Sequence, residues 1–221
     1  MKAFAGSKRL HLMNSFERNA YQSGYRLIAG VDEAGRGPLA GPVVAAAVIF
    51  PPDYHNSEIR DSNLLSPQKR ERLHDVIRED AVTVGLGVVD AVVIDEINIL
   101  KATLMAMQEA LLELSPAPDF LLIDGITPLS LSMPQRTLIK GDSRSVSVAA
   151  ASIIAKVSRD RIMEIYHRQF PQYNFIKNKG YGTEEHRAAI RRYGPCKIHR
   201  RSFNMYGTPA ITESYDLFTA Y

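Results

Sequence analysis

Apolar residues in this chain form short continuous runs, which alternate with longer stretches where they recur every three or four positions. The short runs are typical of buried strands. One of them, residues 81–89, shows the two-residue alternation of a strand with one buried face. Strands are therefore predicted at residues 27–33, 43–50, 81–89, 120–125 and 136–139.

Helical spacing appears in three places. Leu12, Phe16 and Ala20 recur at four-residue intervals, and they predict a short leading helix that ends before Gly24. Longer helices are predicted at residues 94–114 and 145–170, followed by short helices and loops.

The order of these elements predicts an α/β fold, in which a mixed sheet is covered by helices. No crossover helix is expected between the first two strands, so the first three strands can form an antiparallel meander. Two acids end the first strand and another ends the fourth, and sites in such sheets usually form where strands end.

Composition adds few constraints. The 221 residues suit one domain, and 45% of them are hydrophobic, as in ordinary globular proteins. The single cysteine, Cys196, excludes an internal disulfide, and nothing in the sequence places it near a base, so a structural role is expected. The chain has no membrane-length apolar run and no signal-like apolar stretch near its start. We expect a cytoplasmic monomer that does not associate with membranes.

Charge is distributed unevenly along the chain. Residues 1–130 carry a net charge of −5 and residues 131–221 a net charge of +8. A basic stretch that includes Tyr181 and His186 suits nucleic acid, but it is equally typical of a solvated helix face. Its cations are Lys177, Lys179, Arg187, Arg191, Arg192, Lys197, Arg200 and Arg201.

Four acids stand out by position. Asp32 and Glu33 end the first strand, Asp124 ends the fourth, and Asp142 precedes the long helix. Gathered carboxylates repel one another unless a cation lies between them. Hard oxygen ligands favour Mg²⁺ or Mn²⁺, and two such ions are a common means of phosphodiester cleavage.

Each acid also has a structural interpretation. An Asp at a strand end often forms a turn, and Asp142 can be the N-cap of the long helix. The adjacent pair Asp32-Glu33 favours a site, because an apolar strand that ends in two acids needs something to neutralise them. The triplet Gly35-Arg36-Gly37 allows close approach of the backbone and an arginine to a phosphate, although such a triplet is usually just a turn.

The run 29–44, with Asp32-Glu33 followed by Gly35-Arg36-Gly37, closely resembles the signature of type 2 ribonuclease H, which is ribonuclease HII in bacteria. The resemblance extends over roughly residues 10–205. Several motifs in the right order are more specific than any one of them. The further matching segments are 94–100, 123–125, 140–143, 149–157, 179–183 and 199–203.

This resemblance implies a ribonuclease H-like fold: a five-stranded mixed sheet flanked by helices, with a small helical C-terminal extension. The catalytic core would span residues 1–170. The basic extension, residues 171–221, would pack on it as part of one functional unit.

The resemblance also implies roles for individual residues. The four acids match the family's metal-binding and catalytic carboxylates, for Mg²⁺ or Mn²⁺. Gly35, Arg36 and Gly37 match its motif for the 2′-hydroxyl and neighbouring phosphate, and Tyr181 matches the aromatic residue that packs on the next sugar. Ser143 and Lys179 are further candidates for substrate contact.

The implied activity is cleavage of RNA in RNA/DNA hybrids and nicking of duplex DNA on the 5′ side of an embedded ribonucleotide, which leaves 5′-phosphate and 3′-hydroxyl ends. One departure concerns the residues after Asp61-Ser62, where the family usually carries lysines and this chain has Asn63-Leu64. We expect a phosphate contact to be missing there.

Three other functions compete with this interpretation. A DNA-junction nuclease of the same fold would not depend on a 2′-hydroxyl, which Gly35-Arg36-Gly37 and Tyr181 are expected to read. A non-catalytic hybrid-binding module would be expected to lack one of the acids, and all four are present. A phosphohydrolase for small molecules would not need so extended a basic tail.

Overall fold

Five strands form a mixed sheet in the structure, a computed structural model that describes residues 14–207. The strands are β1 (Ile28–Ala34), β2 (Val43–Ile49), β3 (Thr83–Val89), β4 (Phe120–Asp124) and β5 (Gln135–Leu138). Their order across the sheet is β3-β2-β1-β4-β5. The first three are antiparallel neighbours, whereas β4 runs parallel to β1 and β5 parallel to β4. The predicted α/β class, mixed sheet and meander are confirmed.

Helices cover the sheet on both faces. They are α1 (Ser15–Gln22), α2 (Pro67–Asp80), α3 (Ala91–Ile97), α4 (Ile99–Leu112), α5 (Val146–Gln169), α6 (Phe175–Asn178) and α7 (Glu184–Tyr193). Short 3₁₀ turns lie at Ser62–Leu64, Gly141–Ser143 and Pro171–Tyr173. No helix among residues 14–207 combines the length and apolarity needed to cross a membrane.

The long helix α5 agrees with the prediction, since Ser145 is its N-cap and Phe170 its C-cap. The leading helix is also present, although it begins at Ser15 and Leu12 lies outside the described residues. The part of the predicted C-terminal extension beyond residue 207 lies outside them as well.

The prediction of one helix over residues 94–114 is wrong. The helix breaks at Asn98, whose backbone φ of 71° lies in the left-handed region. Asn98 ends α3 and then caps α4 by accepting a hydrogen bond from the Lys101 N–H. The apolar spacing continues through this break, so periodicity does not reveal it.

Helix α2 was not predicted at all. Only three of its residues, Leu73, His74 and Ile77, are buried, so its sequence lacks a sustained apolar stripe. Its start nevertheless carries a local signal, because Ser66 caps it by accepting from the Lys69 N–H and Pro67 occupies the first helical position.

Strand β2 shows why some runs are apolar at every position. Ala45 and Ala47 belong to the hydrophobic cluster formed with α4. The alternate residues Ala46 and Val48 belong to the cluster formed with α2 and α5. A strand that is buried on both faces needs apolar side chains throughout.

Glycine lets β1 lie directly against the first turn of α5. A Cβ added to Gly30 would lie 2.1 Å from the carbonyl carbon of Ser147, so any other residue would force the strand and helix apart. This contact places the start of α5 beside the end of β1, where Asp32 and Glu33 lie.

The C-terminal extension packs on the β1–β2 loop, residues 35–42. Leu39 of the loop shares a hydrophobic cluster with Met163 of α5 and Phe175 of the extension. The Gly41 N–H also donates to the Ile198 carbonyl across 2.8 Å. Residues that are far away in sequence therefore hold the loop in place.

Candidate active site

Strands β1 and β4 bring three of the predicted acids together. The two strands are parallel, with Val31 opposite Ile123, so the next residues, Asp32 and Asp124, are neighbours. Glu33 follows on β1, and its N–H donates to Asp32 Oδ1 across 2.7 Å. The three acids line one cavity of about 210 Å³.

Asp142 reaches the same cavity from the turn that follows β5. Asp124 supports this turn, because its Oδ1 accepts a hydrogen bond of 2.6 Å from the Gly141 N–H. The interpretation of Asp142 as the N-cap of the long helix is wrong. Ser145 has that role, since its hydroxyl accepts from the Val148 N–H.

Burial and mutual repulsion disfavour the ionised forms of these acids. Desolvation, followed by repulsion from Glu33 and Asp124, raises the pKa of Asp32 well above its ordinary value. Desolvation also raises the pKa values of Glu33 and Asp124. The pKa of Asp142 is raised to about 6 by desolvation and by repulsion from Asp61 and Asp124. A cation in the cavity would relieve these effects.

Sequence reasoning missed Asp61 as a neighbour of the acids. Interaction with the Asp61 carboxyl raises the pKa of Asp142, and the charge of Asp61 also raises that of Asp124. Its Oδ1 also accepts from the Asn63 N–H across 2.8 Å, which caps a 3₁₀ turn. Asp61 follows no apolar strand, so the rule that identified the other acids does not reach it.

Lys156 on α5 was also missed, although it lines the cavity. Its Nζ lies 2.7 Å from Asp160 Oδ1, one helical turn away. Ser152 and Lys156 are one helical turn apart on the same face of α5, and both line the cavity. The rotation of the helix about its axis, which the sequence does not reveal, directs this face towards the acids. Ser152 is hydrogen-bonded to Ser62 across 2.9 Å.

The chemistry of these side chains fits a hard divalent cation. Carboxylate oxygens are the donors that Mg²⁺ and Mn²⁺ prefer. Within residues 14–207, however, no three His, Cys, Asp or Glu side chains are arranged to hold an ion as they stand. We expect a bound cation to offset the repulsion between the acids and to draw their carboxylates closer together.

The triplet Gly35-Arg36-Gly37 borders the cavity, and its two glycines differ. Gly35 lines the cavity with a φ of +98°, and a Cβ on it would lie 2.0 Å from Arg159 Nε. The backbone conformation and the contact with Arg159 therefore require glycine at position 35, whether or not a ligand binds. Around Gly37 there is room, because the nearest atom to an added Cβ would be Tyr181 Cε1 at 3.8 Å.

Arg36 precedes Gly37 in the chain, and Tyr181 lies beside Gly37. The Arg36 side chain is half exposed, and its Nη1 lies 3.4 Å from Glu33 Oε1. The Tyr181 ring lines the cavity and is 46% exposed, which leaves a face free for packing. Arg36 thus links the acids to the loop, and Tyr181 forms part of the cavity wall.

Ser143 and Lys179 are not among the residues that line the cavity. The Ser143 hydroxyl donates to the Lys140 carbonyl across 2.9 Å. Lys179 Nζ lies 2.9 Å from Glu164 Oε1. Their contact with substrate stays a prediction.

Part of the basic stretch is engaged inside the protein. Arg200 is fully buried, and Arg187 donates to backbone carbonyls. Arg191 pairs with Glu184, a residue of the same helix. The charge count along the sequence therefore overstates the cationic surface that a polyanion can reach.

The structure places a histidine beside Cys196, a neighbour that nothing in the sequence indicated. His199 Nδ1 lies 3.1 Å from Cys196 Sγ, and His199 Nε2 lies 3.0 Å from His186 Nε2. His186 Nδ1 must donate to the Tyr181 carbonyl, which can only accept, so His199 donates to His186. Burial raises the pKa of the Cys196 thiol and lowers that of His199 to about 4, so this chain of groups is neutral and structural.

A five-stranded mixed sheet, with carboxylates gathered where neighbouring strands end, defines a nuclease of the ribonuclease H class. The family model described as ribonuclease HII matches residues 29–206. The chain belongs to the ribonuclease HII family. It is a metal-dependent endonuclease that hydrolyses RNA paired with DNA.

Named relatives agree with this assignment. Ribonuclease HII of Syntrophus aciditrophicus (strain SB) is 64% identical over 207 residues, which cover 93% of this chain and 98% of the relative. Ribonuclease HII of Bacillus subtilis (strain 168) is 54% identical over 191 residues, which cover 86% of this chain and 74% of the relative. Among solved structures, ribonuclease H2 from Pyrococcus horikoshii OT3 superposes with a TM-score of 0.68 at 27% identity. The superposition covers 81% of this chain and 95% of the Pyrococcus chain.

Proposed function

We propose that this ribonuclease H also nicks duplex DNA on the 5′ side of a single embedded ribonucleotide, and so removes ribonucleotides from DNA in the cytoplasm. The products would carry 5′-phosphate and 3′-hydroxyl ends. One observation carries the proposal: the predicted acids line the same cavity as Gly35 and Tyr181. Chemistry and sugar recognition would therefore act on one phosphodiester.

The carboxylates of Asp32, Glu33, Asp124 and Asp142 would hold two divalent ions, Mg²⁺ or Mn²⁺. Such ions lower the pKa of an attacking water and stabilise charge on the leaving oxygen. The protein holds the carboxylates in place. The Glu33 N–H fixes one oxygen of Asp32, and the Gly141 N–H fixes one oxygen of Asp124.

The β1–β2 loop would supply the recognition of ribose. A 2′-hydroxyl both donates and accepts hydrogen bonds, so backbone groups near Gly37 can bind it and distinguish it from hydrogen. Gly37 leaves the space for this approach open. Tyr181 would pack on the following deoxyribose and exclude a second 2′-hydroxyl there by crowding.

The test uses two labelled duplexes that differ by one ribonucleotide, with Mg²⁺, with Mn²⁺ and with a chelator. We expect one nick, 5′ of the ribonucleotide, with either metal and none in the all-DNA duplex. End-specific labelling would identify the 5′-phosphate. Failure to nick the duplex with one ribonucleotide would leave the protein a ribonuclease H of RNA/DNA hybrids but contradict the proposed reading of the junction.

A further inference from the structure

Two arginines are buried beneath the β1–β2 loop: Arg159 of α5 and Arg200 of the C-terminal extension. Their side chains are 1% and 0% exposed. Each guanidinium donates three hydrogen bonds, and all the acceptors are backbone carbonyls. A buried charge normally needs a partner of opposite sign, and here carbonyl dipoles take that place.

Both arginines hold the end of the loop that enters β2, and each also holds a second segment. Arg159 donates to Ala40 and Pro42, at the end of the loop that enters β2, and to Lys179. Arg200 holds the beginning of the loop. Its Nη2 donates to the Gly35 carbonyl at 2.6 Å, its Nη1 to the Arg36 carbonyl at 3.0 Å, and its Nε to the Gly41 carbonyl at 2.9 Å.

We propose that Arg200 is a positioning residue for ribose recognition. It fixes the two peptide groups that face the substrate. The proposal rests on the proposed function of Gly35-Arg36-Gly37. In a planar trans peptide, the carbonyl and the following N–H point in opposite directions. Because the Gly35 and Arg36 carbonyls point at Arg200, the N–H groups of Arg36 and Gly37 point away from it.

This arrangement prepares the two N–H donors before substrate arrives. A donor that is already oriented loses little entropy when it binds its acceptor, so its contribution to discrimination is preserved. The same guanidinium ties Gly35 to Gly41, at the other end of the loop. Arg200 therefore fixes the width of the loop as well as the direction of its peptides.

A lysine cannot perform this role. The planar guanidinium carries its donors in a rigid fork, whereas an ammonium group is a compact point charge on a flexible stem. Burial, and then repulsion from Arg159, lowers the pKa of Arg200 to about 9, so the group is still protonated at neutral pH. Arg200→Lys thus removes the fork and leaves an amine that can donate hydrogen bonds but cannot span the same three carbonyls.

The experiment measures sugar preference, not activity alone. It determines the KM for duplex DNA with one ribonucleotide and the Ki with which the all-DNA duplex inhibits that cleavage. The ratio of Ki to KM does not depend on the fraction of folded enzyme. We expect Arg200→Lys to lower this ratio by about tenfold or more, as displaced recognition groups do.

Arg187→Lys is the matched control. Arg187 is another arginine of the C-terminal extension whose guanidinium donates to backbone carbonyls, those of Gly182, Asn204 and Met205, and none of these belongs to the loop. We expect this variant to lose some thermal stability and to keep the wild-type ratio. If Arg200→Lys does not fold, Arg200→Met, which places no charge in the buried site, is measured in the same way.

The outcomes separate the two proposals. A wild-type ratio near one would contradict the proposed ribose reading, and the role of Arg200 would fall with it. A high wild-type ratio that Arg200→Lys retains, with only the amount of active enzyme reduced, would overturn the role of Arg200 alone. Equal losses in Arg200→Lys and Arg187→Lys would also overturn it, because any loosening of the extension would then suffice.

Discussion

The acid-lined edge of the sheet and the β1–β2 loop lie next to each other, but charge is balanced in opposite ways in the two regions. At the edge, burial and neighbouring carboxylates raise the pKa values of Asp32, Asp124 and Asp142, and no three side chains among the described residues are arranged to hold a cation. In the loop, Arg159 and Arg200 are both satisfied by carbonyl groups.

From this difference we infer that the two regions have separate roles in the enzyme. The Glu33 and Gly141 N–H groups orient the carboxylates of Asp32 and Asp124, and bound metal ions would neutralise the charge of the acids, so we expect turnover to depend on the metal. The hydrogen bonds that hold the loop lie within the protein, so the proposed recognition of the ribose would not depend on metal. Changes at the edge should therefore affect turnover, and changes in the loop should affect sugar preference.

The largest effect is expected from Asp124→Asn. The amide keeps the shape of the side chain but removes a charge that a cation requires, so cleavage should fall by about a thousandfold or more. Binding of the hybrid, measured by fluorescence anisotropy, should be nearly unchanged. Asp119→Asn is the control, because Asp119 accepts hydrogen bonds from the Arg26 and Leu27 N–H groups away from the cavity. Loss of binding together with cleavage would mean that the acid is mainly structural.

The two glycines of the loop should separate stability from recognition. In Gly35→Ala the new methyl group meets Arg159 at a left-handed φ, which should reduce the free energy of unfolding by about 3 kcal/mol. Gly37→Ala should change it by less than about 1 kcal/mol. Its methyl group would instead occupy space beside Tyr181 and raise KM about tenfold. Urea unfolding and steady-state kinetics test the pair, and equal destabilisation of both variants would contradict the distinction.

Metal and pH should act against each other on stability. The acids have folded-state pKa values above their ordinary ones, so the stability they contribute is present at low pH and is lost as pH rises through about 6 for Asp142. A cation reverses this loss. The rise in Tm that Mg²⁺ produces should be about 2–4 °C larger at pH 7.5 than at pH 5. Calorimetry in both buffers measures it, and a rise that is larger at pH 5 would be inconsistent with cation binding by these carboxylates.

A smaller effect is expected from Asn63→Lys. Asn63 lines the cavity, so a lysine there can reach a phosphate that the present chain does not neutralise. Affinity should increase, and the slope of log Kd against log salt should steepen by about one unit. Leu64→Lys adds the same charge on the exposed neighbour, which does not line the cavity, and should have less effect. An unchanged salt slope in Asn63→Lys would contradict the hypothesis that this chain lacks a phosphate contact there.

Elements with a continuous apolar run or a long periodic stretch were predictable from the sequence. Strands β1 to β4 and helix α5 are of this kind, because burial dictates their residues, whereas β5 buries only Leu138. Helix α2 was missed because it buries too few side chains to show a stripe. The break at Asn98 was missed because the apolar spacing continues across a residue whose backbone, not its side chain, changes direction.

The candidate site was predictable where acids end strands, as at Asp32 and Asp124. Asp61 and Lys156 were not predictable in this way, because one lies in a loop and the other depends on the rotation of a helix. The role of Arg200 could not be foreseen either. It was counted among the cations of a basic surface, whereas its charge is buried beneath a loop more than 150 positions earlier in the chain.

The most direct test of this division is the binding preference of the wild-type protein in a chelator. Fluorescence anisotropy would give the Kd for a duplex with one ribonucleotide and for the all-DNA duplex, with metal ions removed so that cleavage stops. The account predicts that the preference for the ribonucleotide persists, because the loop is held by Arg159 and Arg200 and not by metal. Loss of the preference in chelator, and its return with Ca²⁺ or Mg²⁺, would show that the metal site and not the loop reads the sugar.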